Sequence, residues 1–579
     1  MKKNYRISLF LFTLILLLGM DKMNGQSWTW GRMAAGNSEG WTGIAMDADQ
    51  IYYSGYFYNS ITFGSSTLVS SGGSDAFLVK YDNNGNVQWA RQSHTIGSTS
   101  NCQAFGMDCD EHGNVFMIGP FQGNMVLDDD TIQAIHNEDA TYLIKYDPYG
   151  NTVWTEQTHN LSVSGFSIGN SITGDKLGNS YATGSFKDTV RYGIHKFFGS
   201  GNSSAFLFKL DSLGHLLWGA NSVCSSSAGN AQGIVAVTDF QNNPFLIGFF
   251  TDTIQLGGNT LSPPNLAANV FVARFDPSGN VSWVSHSQAT SAQGNAFAYG
   301  AETDIQGNLY VCGSFQDTVS FGAYTLRAGS PTECFLVKYD PAGHVVWARQ
   351  SHTAQQGSSV AYSITTDEHN RIFLGGGSTA SSSSPYTHSL SFGMDTISLR
   401  STAPGLDPGF IAEFDSTGSM LCSSIIASGG DDNNAVTTDP TGAHVYLIGD
   451  LQVPVTFAGV TLDPTLNGGE VAFVARWEPC IIPVPEPECP EIYVPNTFTP
   501  NGDGMNELEC VYGGCVEQVD FSIYNRWGEK VFESKDLKQC WDGTYAGKPM
   551  NSGVFVFYLT ATLTDGRKVK QKGTINLIK

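Results

Sequence analysis

The chain has 579 residues, a formal net charge of −23 and only 14% charged residues, against about 25% in an average soluble protein. Hydrophobic residues at 41% exclude wholesale disorder, and 65 glycines without a three-residue period exclude collagen. The net acidity excludes a phosphate-binding nucleic-acid protein, and the length calls for two or more domains.

Lys2, Lys3 and Arg6 precede an uncharged apolar run over residues 7–20, and Asn24, Gly25 and Gln26 follow. This order describes a secretory signal peptide, residues 1–25, cleaved near Gly25. The run is shorter than the ~20 residues a membrane-spanning helix needs, so no transmembrane helix is expected after cleavage. No Cys follows it, so a lipid anchor is not expected. Export permits disulfides, and 11 cysteines leave at least one thiol unpaired. No Cys/His spacing suits zinc.

One phrase then recurs: Ala76-Phe-Leu-Val-Lys-Tyr-Asp82, a Gly three residues on, and Trp89. Copies end at Asp147, Asp211, Asp276, Asp340, Asp415 and Glu478, giving spacings of 65, 64, 65, 64, 75 and 63. The long spacing holds a Ser-rich insert around residues 381–384, and the sixth copy has Cys422 where the others have Trp. An earlier phrase, Asp110-Glu-His-Gly-Asn-Val-Phe-Met-Ile-Gly119, returns at Asp175, Asp304 and Asp439. β-Branched and aromatic residues alternate with polar ones between Asp-x-x-Gly turns, and no 3.6-residue period competes. Each unit reads as four short antiparallel strands that cannot bury both faces alone. Radial stacking predicts an all-β, seven-bladed β-propeller over residues 26–478. The seventh unit lacks its Trp strand, while Gln26-Ser-Trp-Thr-Trp30-Gly-Arg matches Asn86-Val-Gln-Trp89-Ala-Arg. The N-terminal strand is therefore expected to complete the last blade and leave no open edge. The units resemble the β-propeller repeat of many exported bacterial proteins.

Residues 479–490 are Pro-rich, bracketed by Cys480 and Cys489, and read as a semi-rigid linker. Beyond it stand Val494-Pro-Asn-Thr-Phe-Thr-Pro-Asn-Gly-Asp-Gly504-Met-Asn506, Phe521-Ser-Ile-Tyr-Asn-Arg-Trp-Gly528, Trp541-Asp-Gly543 and Gly553-Val-Phe-Val-Phe-Tyr558. Alternation with turn clusters predicts a small Ig-like β-sandwich over residues 491–579. In these motifs the segment resembles the gliding-motility-associated C-terminal domain, the type B sorting domain of the type IX secretion system. The resemblance rests on Pro495, Asn496, Phe498, Thr499, Pro500, Asn501, Gly502, Asp503, Gly504, Asn506, Asn525, Arg526, Trp527, Gly528, Trp541, Asp542, Gly543 and Gly553. It implies passage across the outer membrane, the type IX machinery as partner, and a secreted or cell-surface destination. Met505-Asn-Glu507 and Lys579 depart from the family's usual Ile-Asn-Asp and Arg, without consequence for the fold.

Other motifs are weaker. Gly36-Asn-Ser-Glu-Gly40 spells G-x-S-x-G, but no helix follows, so a structural turn is expected rather than a nucleophile. His94, His159 and His352 each stand five residues after their unit's Trp. They are a speculative binding face, weighed against turn residues that bond local backbone. Asp128-Asp-Asp130 and Asn501-Gly-Asp-Gly504 offer oxygens for calcium, but neither completes a loop consensus, so no cofactor is expected. Asp-Thr-Val/Ile at 188, 252, 317 and 395 resembles a bacterial O-glycosylation acceptor, or reflects repeat ancestry. Cys312 and Cys334 are a candidate cross-strand disulfide.

With no assembled catalytic constellation, the expected function is non-enzymatic: a surface binding or adhesion module for protein or glycan. The alternative is a carbohydrate-active enzyme, a lyase or glycosidase, which needs two carboxylates in one pocket. From residue 491 onward 11 acidic residues meet 10 basic ones, so nearly all the negative charge lies in the repeats. That favours cationic or neutral ligands over polyanions.

Overall fold

In the computed structural model, which describes residues 27–47, 49–128, 130–135, 138–353, 357–379, 387–393, 395–400, 408–426, 435–467, 471–480, 492–500, 507–512, 516–537, 539–563 and 568–579, the Asp-x-x-Gly phrases become tight turns. The expected signal peptide, most of the expected linker, the Ser-rich insert and residues 501–506 lie outside the described residues. At Asp147 one carboxylate oxygen accepts the backbone N–H groups of Tyr149 and Asn151 at 2.9 and 2.8 Å. The other accepts the Asn151 side chain, while Gly150 takes a φ of +80°. The Asp replaces backbone partners that the turn cannot supply, which is why Asp, Gly and Asn recur together.

Two compact units result, Met1–Cys480 and Ile481–Lys579. Among the described residues the secondary structure is all β apart from one 3₁₀ turn, Pro464–Asn467. In the first unit each repeat forms an antiparallel four-stranded meander, such as Ser167–Gly174, Ser180–Phe186, Ser204–Leu210 and Leu216–Asn221. The first strands of successive repeats lie side by side, from Ala35–Asp47 round to Ala435–Thr438, which neighbours Ala35–Asp47 again. In the last repeat the fourth strand is Ser27–Met33, paired with Val471–Glu478. The fold is propeller-like.

The expected alternation fails in the middle strands. Ser180–Phe186 and Ser204–Leu210 are buried at every position, because each sheet has a neighbour on both faces. Fourth strands such as Leu216–Asn221 stay half-exposed, and first strands such as Ser167–Gly174 mix buried and half-buried positions. The second to sixth repeats each send out a hairpin, such as Thr189–Tyr192 with His195–Phe198, that pairs with the segment ending the preceding repeat.

Successive repeats are fastened by one recurring contact. The indole N–H of Trp30, Trp89, Trp154, Trp218, Trp283 and Trp347 donates to the carbonyl of Asn83, Pro148, Ser212, Pro277, Pro341 and Ser416 respectively, at 3.0–3.3 Å. The turn glycine of the next repeat lies under the ring. A Cβ on Gly279, whose φ is +91°, would stand 2.7 Å from Trp218. Gly and Trp therefore recur in one phrase because each Trp needs the next repeat's Gly. At the sixth junction this contact is absent. Cys422 occupies the Trp position and forms a disulfide with Cys480, two residues after Glu478.

The same junction is rewired in charge. Elsewhere the third-strand cation meets the Asp of the first turn: Arg274 reaches Asp239 at 2.7 Å and Lys338 reaches Asp304 at 3.6 Å. In the sixth repeat Glu413 replaces that cation. Arg371 then pairs with both Asp367, at 2.6 Å, and Glu413, at 3.0 Å.

The second unit holds one five-stranded sheet, ordered Thr497–Phe498, Lys568–Leu577, Gly553–Leu563, Val516–Tyr524 and Lys530–Ser534. The sandwich expectation meets a thinner second layer. It consists of the bridges Tyr493 to Tyr512 and Glu509 to Trp541, with the hairpin Thr544–Tyr545 and Lys548–Pro549. The reason is visible in the core: Trp541, Phe498, Ile492 and Val511 cover the sheet's inner face without forming long strands.

Candidate functional site

The first strands of all seven repeats line one cavity of about 480 Å³, formed by residues 43–46, 105–108, 170–174, 234–238, 299–302, 362–365 and 435–437. Its wall is held by side chains at the ends of these strands. Thr238 Oγ1 donates to the Gly174 carbonyl, Thr303 to that of Thr238, and Thr366 to that of Thr303, at 3.3, 2.9 and 3.1 Å. Each hydroxyl satisfies a carbonyl that the neighbouring sheet leaves unpaired.

Among the described residues the cavity's charged groups are two carboxylates, Asp108 and Glu302. They occupy one repeat position, two residues before the turn Asp, where other repeats carry Ala45, Thr173, Val237, Thr365 and Thr437. Asp108 accepts from Thr173 Oγ1 at 2.8 Å, the Gly174 N–H at 3.1 Å and the Cys109 N–H at 2.8 Å. Glu302 accepts only the Thr303 N–H, at 2.8 Å. Burial raises the Glu302 carboxyl to about 7, opposed by the bond from Thr303 and reinforced by the charge of Asp108. Asp108 is also raised by burial. Sequence reasoning missed this pair. The available signal was an acidic residue at a repeat position that is otherwise neutral.

The three histidines do not share a surface with this cavity. Each lies in a strand, opposite the next repeat's hairpin: His94 faces Val126, His159 faces Arg191 and His352 faces Ser391. The Gln two residues earlier explains the phrase. Gln92 exchanges two amide bonds with the backbone of Val69, Gln157 with Gln133, and Gln350 with Arg327. The same Gln Nε2 lies 3.1, 3.0 and 3.4 Å from the imidazole Nδ1 of His94, His159 and His352. Gln-Ser/Thr-His is thus a sheet-edge device, and the local partner is a side-chain amide rather than the backbone expected.

Cys312 and Cys334 are both free, so the candidate disulfide is corrected. Register places Cys312 opposite Leu336 and Cys334 opposite Ser314, two residues out of alignment on adjacent strands. The observed bridges are Cys422–Cys480 and Cys510–Cys540, while Cys489 and Cys515 lie outside the described residues. Residues 36–40 lie within the strand Ala35–Asp47 instead of a turn, and no helix follows to make a nucleophile elbow. Of the calcium candidates, Asp128 takes a φ of +48° in a hairpin turn, and Asp129 and residues 501–506 are outside the described set. The carboxylates of Asp188, Asp252 and Asp317 accept from Ser162, Ser225 and Ser291 of the preceding repeat. Those triplets therefore serve as inter-repeat fastenings.

In the second unit Phe498, Trp541 and Gly543 converge inside the domain, whereas Asn496, Arg526, Trp527, Gly528, Asp542 and Gly553 are exposed. Phe498 packs on Trp541 at 5.3 Å, and Trp541 on Phe555 at 4.8 Å. A Cβ on Gly543, at φ +78°, would meet Leu577 at 3.0 Å and Pro500 at 3.1 Å. Asp542 caps Thr544, and the Asn496 carbonyl accepts from Asn576. Asn525 closes a turn through the N–H groups of Trp527 and Glu529, with Gly528 at φ +82°. Arg526 lies over the exposed Trp527 ring, Gly553 opens its strand, and Pro495 and Thr499 flank the buried Phe498 half-exposed. Asn501, Gly502, Asp503, Gly504 and Asn506 lie outside the described residues.

Glu509 is fully buried in this domain, and among the described residues neither carboxylate oxygen has a hydrogen-bond partner. Burial alone raises its carboxyl to about 8. The folded form therefore holds a proton that the unfolded chain releases above its usual value of 4.5. This contribution to stability is full below that value, declines as pH rises, and levels off above about 8. Glu509→Gln is expected to stabilise the domain by about 1–2 kcal/mol at pH 8 and by much less at pH 5. Thermal melts at the two pH values check this, and parallel shifts at both would contradict it.

An all-β propeller-like repeat region joined to a second small β domain is the class these observations define. Residues 492–577 match the family model of the CHU_C type IX secretion signal domain. The protein is accordingly secreted or attached to the cell surface, and the secretion machinery is a partner. Among the described residues no helix is long and apolar enough to cross a membrane. An uncharacterized WD repeat-containing protein of Acanthamoeba polyphaga mimivirus is 22% identical over 387 residues, covering 55% of this chain and 27% of that protein. The chain spans about a quarter of that relative's length. Among solved structures, a member of the duf4221 family from Bacteroides vulgatus is 10% identical, covering 79% of this chain and 99% of that one, at a TM-score of 0.28. A protein of unknown function from Bacteroides caccae is 10% identical, covering 55% and 93%, at a TM-score of 0.27. The extracellular domain of a putative hybrid two component system from B. thetaiotaomicron is 9% identical, covering 92% and 86%, at a TM-score of 0.21.

Proposed function

We propose that this protein is type IX cargo whose repeats close into a seven-bladed β-propeller over residues 26–478 and act at the cell surface as a binding or adhesion module. Residues 1–25 are its signal peptide, 479–490 its linker and 491–579 its sorting domain, with an Ig-like plan. The observation that carries the export reading is the CHU_C match over residues 492–577. The binding reading is supported by a cavity whose acidic groups, Asp108 and Glu302, suit a cationic or neutral group of a protein or glycan ligand. A carbohydrate-active enzyme is the second reading, favoured by the same two carboxylates in one cavity. Against it, three hydrogen bonds from the protein already engage Asp108.

Residues 479–579, placed behind the signal peptide and fused to a reporter, are expected to carry it out of a host with the system. Periplasmic retention would sink the export reading. Purified residues 26–480, which keep Cys480, are expected to bind a cell-surface glycan or protein without turnover, and Asp108→Asn with Glu302→Gln to weaken a cationic ligand. Hydrolysis without stable binding would favour the enzyme instead.

A further inference from the structure

Three signature residues of the second unit, Phe498, Trp541 and Gly543, are buried in its fold and cannot be touched from outside. Phe498, Trp541 and Phe555 are buried together, and Gly543 is packed against Leu577 and Pro500. A partner that reads the folded domain must use another surface. The strand Gly553–Leu563 provides one. Its Phe555, Phe557, Leu559, Ala561 and Leu563 face the core, whereas Val554 and Tyr558 are 54% and 53% exposed. Register sets Lys572 opposite Tyr558, Lys570 opposite Thr560 and Lys568 opposite Thr562, all three lysines exposed. On the other side Tyr524 stands opposite Val556, and its ring meets Tyr558 edge-on at 5.7 Å. Glu533 is spent on Lys530 at 2.9 Å, and Asp520, exposed opposite Thr560, is the face's other carboxylate, whereas none of the three lysines takes part in an ion pair among the described residues. The open charge of this face is therefore predominantly positive, three lysines to one carboxylate, beside the exposed Tyr558 and the half-buried Tyr524.

We propose that this outward sheet face, with Lys568, Lys570 and Lys572 beside Tyr558 and Tyr524, is where the export machinery docks, through an acidic protein surface. The proposal rests on the export reading of the domain. Tyrosines suit the centre of such a contact, and the uncompensated lysines select an acidic partner. Apart from Thr497 and Phe498, which pair with Asn576 and Leu577, no strand among the described residues covers the outer edge of Lys568–Leu577. Lysines on a strand edge also discourage strand addition, so edge protection is the competing role.

The test uses the full chain in a host with the export system. It compares wild type, a Lys568→Glu/Lys570→Glu/Lys572→Glu variant, the matching Gln variant and Tyr558→Ser. The Glu variant is expected to lower the exported fraction roughly tenfold, with the Gln variant and Tyr558→Ser in between. The thermal midpoint of the purified domain should stay unchanged, since surface substitutions of this kind are nearly neutral to stability. If the Glu variant fails to fold, the folded Gln variant decides. Export of folded variants at the wild-type level overturns the proposal. Aggregation with normal export also overturns it, because the lysines then only protect the edge. Wild type held in the periplasm would overturn the export reading and this proposal with it.

Discussion

Cys422→Ser lowers the stability of the repeat region by about 2–4 kcal/mol, the usual cost of losing a native cross-link. The bridge closes a sequence separation of 58 residues, so the reduced chain regains considerable freedom on unfolding. The native state loses its fastening too. Six junctions have an indole bonded to the next repeat's turn, whereas the sixth has only this bridge at that position. Cys480→Ser and the double variant should match Cys422→Ser, because all three remove the same bond. Calorimetry of residues 26–480 with and without reductant checks it. Wild type in reductant should approach the variants, and indistinguishable midpoints would contradict the role given to the bridge.

Trp541→Ala has the second large effect, about 3–5 kcal/mol on the sorting domain. The ring is 1% exposed, is wedged between Phe498 and Phe555, and gives its N–H to the Thr544 carbonyl at 2.8 Å. A domain this small has little stability to lose, so the variant should populate unfolded forms and stay in the periplasm. Near-ultraviolet circular dichroism and the secreted fraction of the reporter fusion measure the two consequences. Trp527→Ala is the control. That ring is 80% exposed, and its removal should leave folding unchanged. Equal loss of signal in both variants would refute the distinction.

What could be read from the chain alone divides along physical lines. The repeat was legible because Asp-x-x-Gly-Asn turns need a fixed set of residues at fixed spacing, and Trp30 announced the partner of Val471–Glu478 by matching Trp89. The all-β class followed from the same turns. The cavity was not legible, because seven first strands distant in sequence build it, and no single phrase contains Asp108 and Glu302 together. The local partners of the histidines were not legible, because Gln92, Gln157 and Gln350 look like ordinary surface amides until the hairpin beside them is seen. Cys312 and Cys334 misled because strand adjacency was foreseen, but the register that separates them was not. In the sorting domain the motifs marked the buried Phe498 and Trp541 and took in Tyr524 and Tyr558, whereas Lys568 and Lys570 of the outward sheet face belong to no distinctive phrase.

The place where the chain leaves the repeat region gives the bridge a mechanical meaning. Cys480 is the last residue of the first unit, so tension along the segment beyond it arrives there first. Without the bridge, that pull would run directly into the pairing of Val471–Glu478 with Ser27–Met33 and Val445–Leu451, opening it one bond at a time from the end. With it, the force passes at Cys480 into the strand Met420–Ile426 of a different sheet. The seam formed by the two ends of the repeat region is thereby taken out of the line of any pull applied beyond Cys480.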